Sequence, residues 1–157
     1  MKVAIDTSVL VAALLRAHPH NGFAVPWLAA IDRGRAQGII DAHTVHELYS
    51  VLTKIKVRPP ISPGDARAMA TRVMQQFETM PLTAEGTRRA LERCSARGLS
   101  SGAIFDAAHV IAAEMAAAER ILTFNVDDFK RLADTTTPPI VDPQSADAAT
   151  LLASLPQ

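Results

Sequence analysis

Carboxylates stand at several positions where a reaction site could use them. Asp6 lies in Val3-Ala-Ile-Asp6-Thr-Ser-Val9, Glu47 in Thr44-Val-His-Glu47-Leu48, and Asp106 in Ile104-Phe-Asp106-Ala-Ala-His109, while Asp127 and Asp128 lie in Thr123-Phe-Asn125-Val-Asp-Asp128-Phe129. Each has a local alternative. Asp6 could cap the helix behind it, and Glu47 stands three residues after Thr44, the capping-box spacing, which taken alone favours a structural role. Asp106 falls in an early helical turn, where the helix dipole favours an acid, and Asp127 and Asp128 open a short helix with Asn125 able to form an Asx turn before them. Taken together the acids carry more information. Carboxylates brought to one edge repel one another and hold protons more tightly unless a cation neutralises them. Oxygen-only ligands select hard ions such as Mg²⁺ or Mn²⁺, which retain water for chemistry. Zinc is disfavoured, because the five His and single Cys show neither C-x₂-C nor H-E-x-x-H spacing. His109 is read as core filling rather than as an orienter of Asp106, and His43 and His46 as surface groups at a helix start.

The elements that must position these acids follow from hydrophobic period. Short apolar strands are expected at 2–6, 39–41, 79–82, 120–123 and 140–142, with 120–123 as the central one. Helices are expected at 8–17 with Thr7 or Ser8 as N-cap, at 23–33 with Pro26 in the first turn, and from Thr44 to the stop at Arg58-Pro59-Pro60. Further helices are expected from Ser62-Pro63, at 87–97 ended by Gly98, at 101–118 as a nearly all-apolar buried helix, at 128–133 and at 146–155. Strands alternating with helices imply an α/β fold, a parallel sheet of about four to five short strands flanked by helices on both faces, with its site at the carboxyl ends of the strands. Residues 1–142 are read as the domain body and 143–157 as a C-terminal tail helix of the same domain.

Composition narrows the function classes. The chain has 157 residues and is 48% hydrophobic, with 16 basic against 16 acidic side chains, within the range of one globular domain and without the bulk charge of a histone-like binder. No apolar run reads as a membrane span or signal peptide, which leads to the expectation of a cytoplasmic protein. Neither a Gly-rich phosphate loop nor a Gly-x-Ser-x-Gly elbow occurs, and Ser8 stands where an aspartyl phosphotransferase would carry a second Asp. The charge is segregated: residues 50–100 carry nine basic and four acidic groups, and residues 101–157 three basic and eight acidic. Within the basic part, Arg89, Arg93 and Arg97 recur every four residues and are expected to form one solvent-facing row, either an ordinary solvated face or a set of RNA phosphate contacts. The scarcity of aromatic residues argues that nucleic-acid specificity, if any, rests on shape and phosphate contacts rather than on base stacking.

Four fragments in register, around Asp6, around Thr44-x-x-Glu47, around Phe105-Asp106-Ala-Ala, and Ile121-Leu-Thr-Phe-Asn125-Val-Asp-Asp128-Phe129, resemble the PIN-domain ribonucleases. The resemblance runs from Lys2 to about Asp142, and the compact form is most similar to the VapC toxins of toxin–antitoxin pairs. It implies a PIN-like parallel sheet, Mg²⁺- or Mn²⁺-dependent cleavage of RNA, a homodimer and a cognate antitoxin. Asp6, Glu47 and Asp106 match the three main acids, with Thr7 or Ser8 as the supporting hydroxyl. At the fourth acidic position this sequence has Asn125, with Asp128 the nearest replacement; both are candidate catalytic residues, and Asp128 a candidate metal ligand beside Asp6, Glu47 and Asp106. A catalytically silent metal- or RNA-binding module, or a DNA nuclease on the same site, are the alternatives.

Overall fold

The computed structural model describes residues 1–156. Five strands, β1 (Lys2–Ile5), β2 (Gln37–Asp41), β3 (Glu78–Met80), β4 (Arg120–Leu122) and β5 (Ile140–Val141), pair in parallel in the order β3-β2-β1-β4-β5. All five expected strands are present, but the centre of the sheet is β1, not β4. The apolarity of Ile121 and Leu122 reports burial, and burial is equally complete at Val3, Ala4 and Ile5; strand order is decided by partners that lie far away in the chain.

Eight helices wrap the sheet: α1 (Thr7–Leu14), α2 (Asn21–Asp32), α3 (Ala42–Lys54), α4 (Pro63–Gln76), α5 (Ala84–Ala96), α6 (Ala103–Met115), α7 (Val126–Leu132) and α8 (Ala146–Ser154). Alternation along the strands assigns each residue to a face. Val3, Ile5, Ile40 and Leu122 join one core with α1 to α4 and α8, whereas Ala4, Ile39 and Ile121 join a second core with α5, α6 and α7. Helices therefore cover both faces, as the buried parallel strands require. Gly38 on β2 permits the first core to close, since a Cβ there would stand 2.6 Å from the Phe77 ring. None of the described helices is long and apolar enough to cross a membrane.

Local chemistry moves several boundaries. Helix α2 begins at Asn21, whose amide donates to the Ala12 and Ala13 carbonyls at 2.8 and 3.1 Å and so ties it to the end of α1; Pro26 consequently lies inside the helix rather than in its first turn. Helix α5 starts three residues before the expected Thr87 because the Thr83 hydroxyl accepts from the Gly86 N–H at 3.1 Å. Helix α6 is shorter than expected, and Ser101 and Ala117, at φ 56° and 52°, bound it in the left-handed region.

The arginine row faces solvent only in part: Arg97 is exposed, Arg89 is half-buried and Arg93 is turned inward. Arg93 is buried, and its guanidinium pairs with Glu114 on α6 at 2.6 Å and with Asp134 at 2.6 Å. Arg89 pairs with the same Glu114 at 2.8 Å, and Arg97 donates to the Ala133 carbonyl at 2.8 Å. The solvent side of α5 carries Arg88 between Glu85 and Glu92, together with the exposed Leu91. Glu114 on the neighbouring helix draws Arg89 and Arg93 toward it, a cause invisible in the periodicity of α5 alone. Arg93→Gln is expected to destabilise the fold by about 2 kcal/mol, because it strips hydrogen bonds from a buried carboxylate that keeps Arg89 and Thr137. Urea denaturation checks this, and an unchanged midpoint would refute it.

Candidate functional site

The strand order reverses direction between β1 and β4, so their carboxyl ends open the crevice at which such sheets carry their sites. Asp6 closes β1 there, its backbone N–H donating to the Leu122 carbonyl at 3.0 Å. Its Oδ2 accepts from the Ser8 hydroxyl at 2.5 Å, the Thr123 hydroxyl at 2.8 Å and the Ser8 N–H at 3.3 Å. Asp6 is thus the N-cap of α1, in place of Thr7 or Ser8, and a wall of the crevice as well. Ser8 and Thr123 in turn accept from the Phe124 and Asn125 N–H groups at 3.2 and 2.9 Å, which fastens the loop after β4 around Asp6.

Glu47 does not form a capping box with Thr44. Asp41, the last residue of β2, caps α3 instead, accepting from the N–H groups of His43 and Thr44 at 2.7 and 3.0 Å, and this starts the helix at Ala42. Glu47 is thereby freed to reach toward α1, where its Oε2 accepts from the Thr7 hydroxyl at 2.6 Å. The two hydroxyls after Asp6 divide their work: Ser8 holds Asp6, and Thr7 holds Glu47.

Asp106, in the first turn of α6, completes the group. A cleft of about 510 Å³ is lined by Asp6, Glu47, Asp106 and Asn125, and an adjoining one of about 520 Å³ by Glu47, Asp106, Asp128 and Arg131. Glu47 and Asp106 form the ridge the two lobes share. Burial, followed by the charges of Asp6, Asp128 and Glu47, pushes the Asp106 carboxyl up to about 6. Of the candidates for the fourth acidic position, Asn125 lines the lobe of Asp6 and Asp128 the other, where it is exposed and 3.6 Å from Arg131, and the two share a further surface depression with Asp127 and Asp142. Among the described residues no three His, Cys, Asp or Glu side chains converge as a ready-made ligand sphere. The acids surround the cleft instead of touching, and their oxygen donors together with the mutual repulsion at Asp106 fit a hard divalent cation.

Behind the acids lies a pair that the strand-end rule should have revealed, since Asp41 ends β2. His109 and Asp41 are both buried, and Nδ1 of His109 bonds Oδ2 of Asp41 at 2.9 Å, with the Thr44 hydroxyl donating to the same oxygen at 2.9 Å. His109 is indeed in the core, but bonded there to a buried carboxylate. Burial alone would lower its pKa; the hydrogen bond and charge of Asp41, with the charges of Asp6 and Asp106, outweigh burial and raise it. Asp41 is held down at about 2 although burial opposes this, because His109 and Thr44 bond its ionised form. Among the described residues, His109 Nε2 is the one buried side-chain polar atom without a partner. The pair joins the helix that carries Glu47 to the helix that carries Asp106. Thr123, fully buried beneath Asp6, is a further residue not singled out from the sequence.

A doubly covered parallel sheet with an acidic, oxygen-donor cleft at its switch point defines an α/β protein suited to hold a divalent cation against an anionic ligand. Residues 3–135 match the model of the PIN domain, and the chain belongs to that family. It is 30% identical over 112 residues, 71% of this chain and 76% of the relative, to Ribonuclease VapC27 of Mycobacterium tuberculosis. Its fold is similar to that of VapC20 of Mycobacterium tuberculosis, described as a sarcin-ricin loop cleaving toxin, with TM-score 0.67, 18% identity, and coverage of 87% of this chain and 99% of that one. It is also similar to the DNA-bound VapBC of Salmonella typhimurium, with TM-score 0.66, 15% identity, and coverage of 91% and 98%.

Proposed function

We propose that this protein is a Mg²⁺- or Mn²⁺-dependent endoribonuclease and the toxin of a toxin–antitoxin pair, acting in the cytoplasm. The observation that carries the reading is the meeting of Asp6, Glu47 and Asp106, from three different elements, around one cleft in which the charges of Asp6 and Glu47 help to raise the pKa of Asp106. These three residues would hold the cation, with Asp128 or Asn125 adding an oxygen from either lobe. When bound, the cation supplies Lewis-acid stabilisation of the phosphoryl charge and lowers the pKa of water. Ser8 and Thr123 fix the Asp6 carboxylate through Oδ2, and Thr7 fixes Glu47 through Oε2. These hydroxyl bonds set carboxylate orientation before any ligand arrives, so little reorganisation is left for the reaction. No protein nucleophile is required.

An antitoxin partner is supported by the VapBC complexes among the similar folds, and a homodimer belongs to the same proposal; light scattering of the purified protein checks the latter. The central test is cleavage of RNA with Mg²⁺ or Mn²⁺ and with chelator, alongside single-stranded and duplex DNA. Metal-dependent cutting of RNA is expected. An inert protein would favour a silent binding module, and preferential cutting of DNA would reassign the substrate.

The fourth oxygen is open to a separate measurement. Asn125→Asp adds a charge to the Asp6 lobe and is expected to tighten Mn²⁺ binding, whereas Asp128→Ala removes one from the other lobe and is expected to weaken it. Calorimetric titration reads both, and two unchanged curves would remove both residues from the site.

A further inference from the structure

The chain has only seven aromatic residues, five Phe with one Trp and one Tyr, and five His. Trp27, Phe77 and Phe129 are buried in the cores. Two of the remaining phenylalanines border the acidic cleft, one in each lobe, and each is stacked by a histidine. In the Asp6 lobe the His20 ring lies on Phe124, with centroids 4.6 Å apart and planes 22° from parallel. In the other lobe Phe105 is stacked by His43 at 4.4 Å and 8°. Phe105 immediately precedes Asp106 and remains 47% exposed. Its ring contributes little to a core, and an aromatic face beside a cleft is one on which a base can stack.

We propose that these two stacks are walls for unpaired nucleobases, one on each side of the Glu47–Asp106 ridge, so that the strand crosses the ridge with its phosphodiester at the acids and the flanking bases against Phe124–His20 and Phe105–His43. The proposal rests on the ribonuclease reading and adds the side chains that hold the flanking bases. A base inside a duplex has both faces covered by neighbours, so only an unpaired strand can offer one to a side chain. Every base has such a face, and a stacking wall therefore binds without demanding a particular sequence. Each lobe, at about 510 and 520 Å³, lies in the range of pockets that enclose a small ligand. The scarcity of aromatics in the composition argued against stacking; their placement argues for it.

The test is binding of a short unpaired RNA oligonucleotide, followed by fluorescence anisotropy in chelator so that the strand stays intact. Phe105→Ala and Phe124→Ala are each expected to weaken binding about five- to hundredfold, while Phe105→Trp retains it. Mn²⁺ affinity measured by calorimetry should not move, and the loss should vanish on a strand made abasic at the flanking position. Phe124→Leu keeps apolar bulk at the half-buried position, and a thermal melt shows that each variant is folded. Variants that bind within twofold of wild type, or a loss that persists unchanged on the abasic strand, would overturn the stacking walls alone. A wild-type protein that neither binds nor cuts RNA would overturn the ribonuclease reading and the walls together.

Discussion

Asp106→Asn is expected to lower metal-dependent RNA cleavage by about a hundredfold or more, because loss of a ligand charge forfeits several kcal/mol of transition-state stabilisation. The same change is expected to stabilise the metal-free protein. The Asp106 carboxyl sits at about 6 rather than 3.8, so the folded state favours its protonated form. That preference is satisfied below pH ~4, is lost as pH rises through about 6, and leaves the ionised group destabilising above it. With allowance for solvent screening of a half-buried group, the penalty is about 1–2 kcal/mol at neutral pH, or about 2–6 °C in Tm. Melting at pH 7.5 with and without Mn²⁺ separates the two effects: wild type should gain stability on adding the ion, and Asp106→Asn should start higher and gain little. A variant that cuts RNA at the wild-type rate would remove Asp106 from the site.

The second large effect concerns the Asp41–His109 pair. His109→Ala or Asp41→Ala leaves an uncompensated polar or charged group in the interior and is expected to cost about 3–5 kcal/mol. Asp41→Ala also removes the cap of α3, whereas Asp41→Asn keeps an acceptor for the His43 and Thr44 N–H groups and isolates the ionic part. The pH dependence has a definite sign. Asp41 is depressed to about 2, so its contribution is present above about pH 3.8 and is lost as pH falls toward 2. His109 is raised, so its contribution is full below about 6.5 and is lost as pH rises through its folded value. The pair therefore stabilises most between roughly pH 4 and 6.5, and urea midpoints of wild type minus Asp41→Asn should peak in that window. A flat difference would show that the pair is not ionised. Because the pair bridges α3 and α6, its loss should also lower cleavage by disturbing the spacing of Glu47 and Asp106.

The cleft acids and the Asp41–His109 pair act on stability in opposite directions. The acids at the cleft repel one another, and behind them burial of His109 is outweighed by its bond to Asp41 and by the charges of Asp41, Asp6 and Asp106, which together raise its pKa. Asp106 is itself eased by His109, the one group near it that lowers its pKa.

Local pattern along the chain encodes its elements and its strand-end acids. Alternation and the 3.6-residue period placed all five strands and the helices between them, and the rule that sites gather at strand ends selected Asp6, Glu47 and Asp106, because both signals involve residues a few positions apart. Partners are set by folding, across long stretches of chain. Thr7 meets Glu47 across 40 residues, Asp41 meets His109 across 68, and Thr123 meets Asp6 across 117. Arg93 turned inward for Glu114, β1 rather than β4 took the centre, and Phe124 and Phe105 came to line adjoining clefts that share Glu47 and Asp106, for the same reason. Hydrogen bonds, ion pairs and stacking act over a few ångströms of space, and which residues come that close is set by how the sheet orders its strands and which face each helix covers.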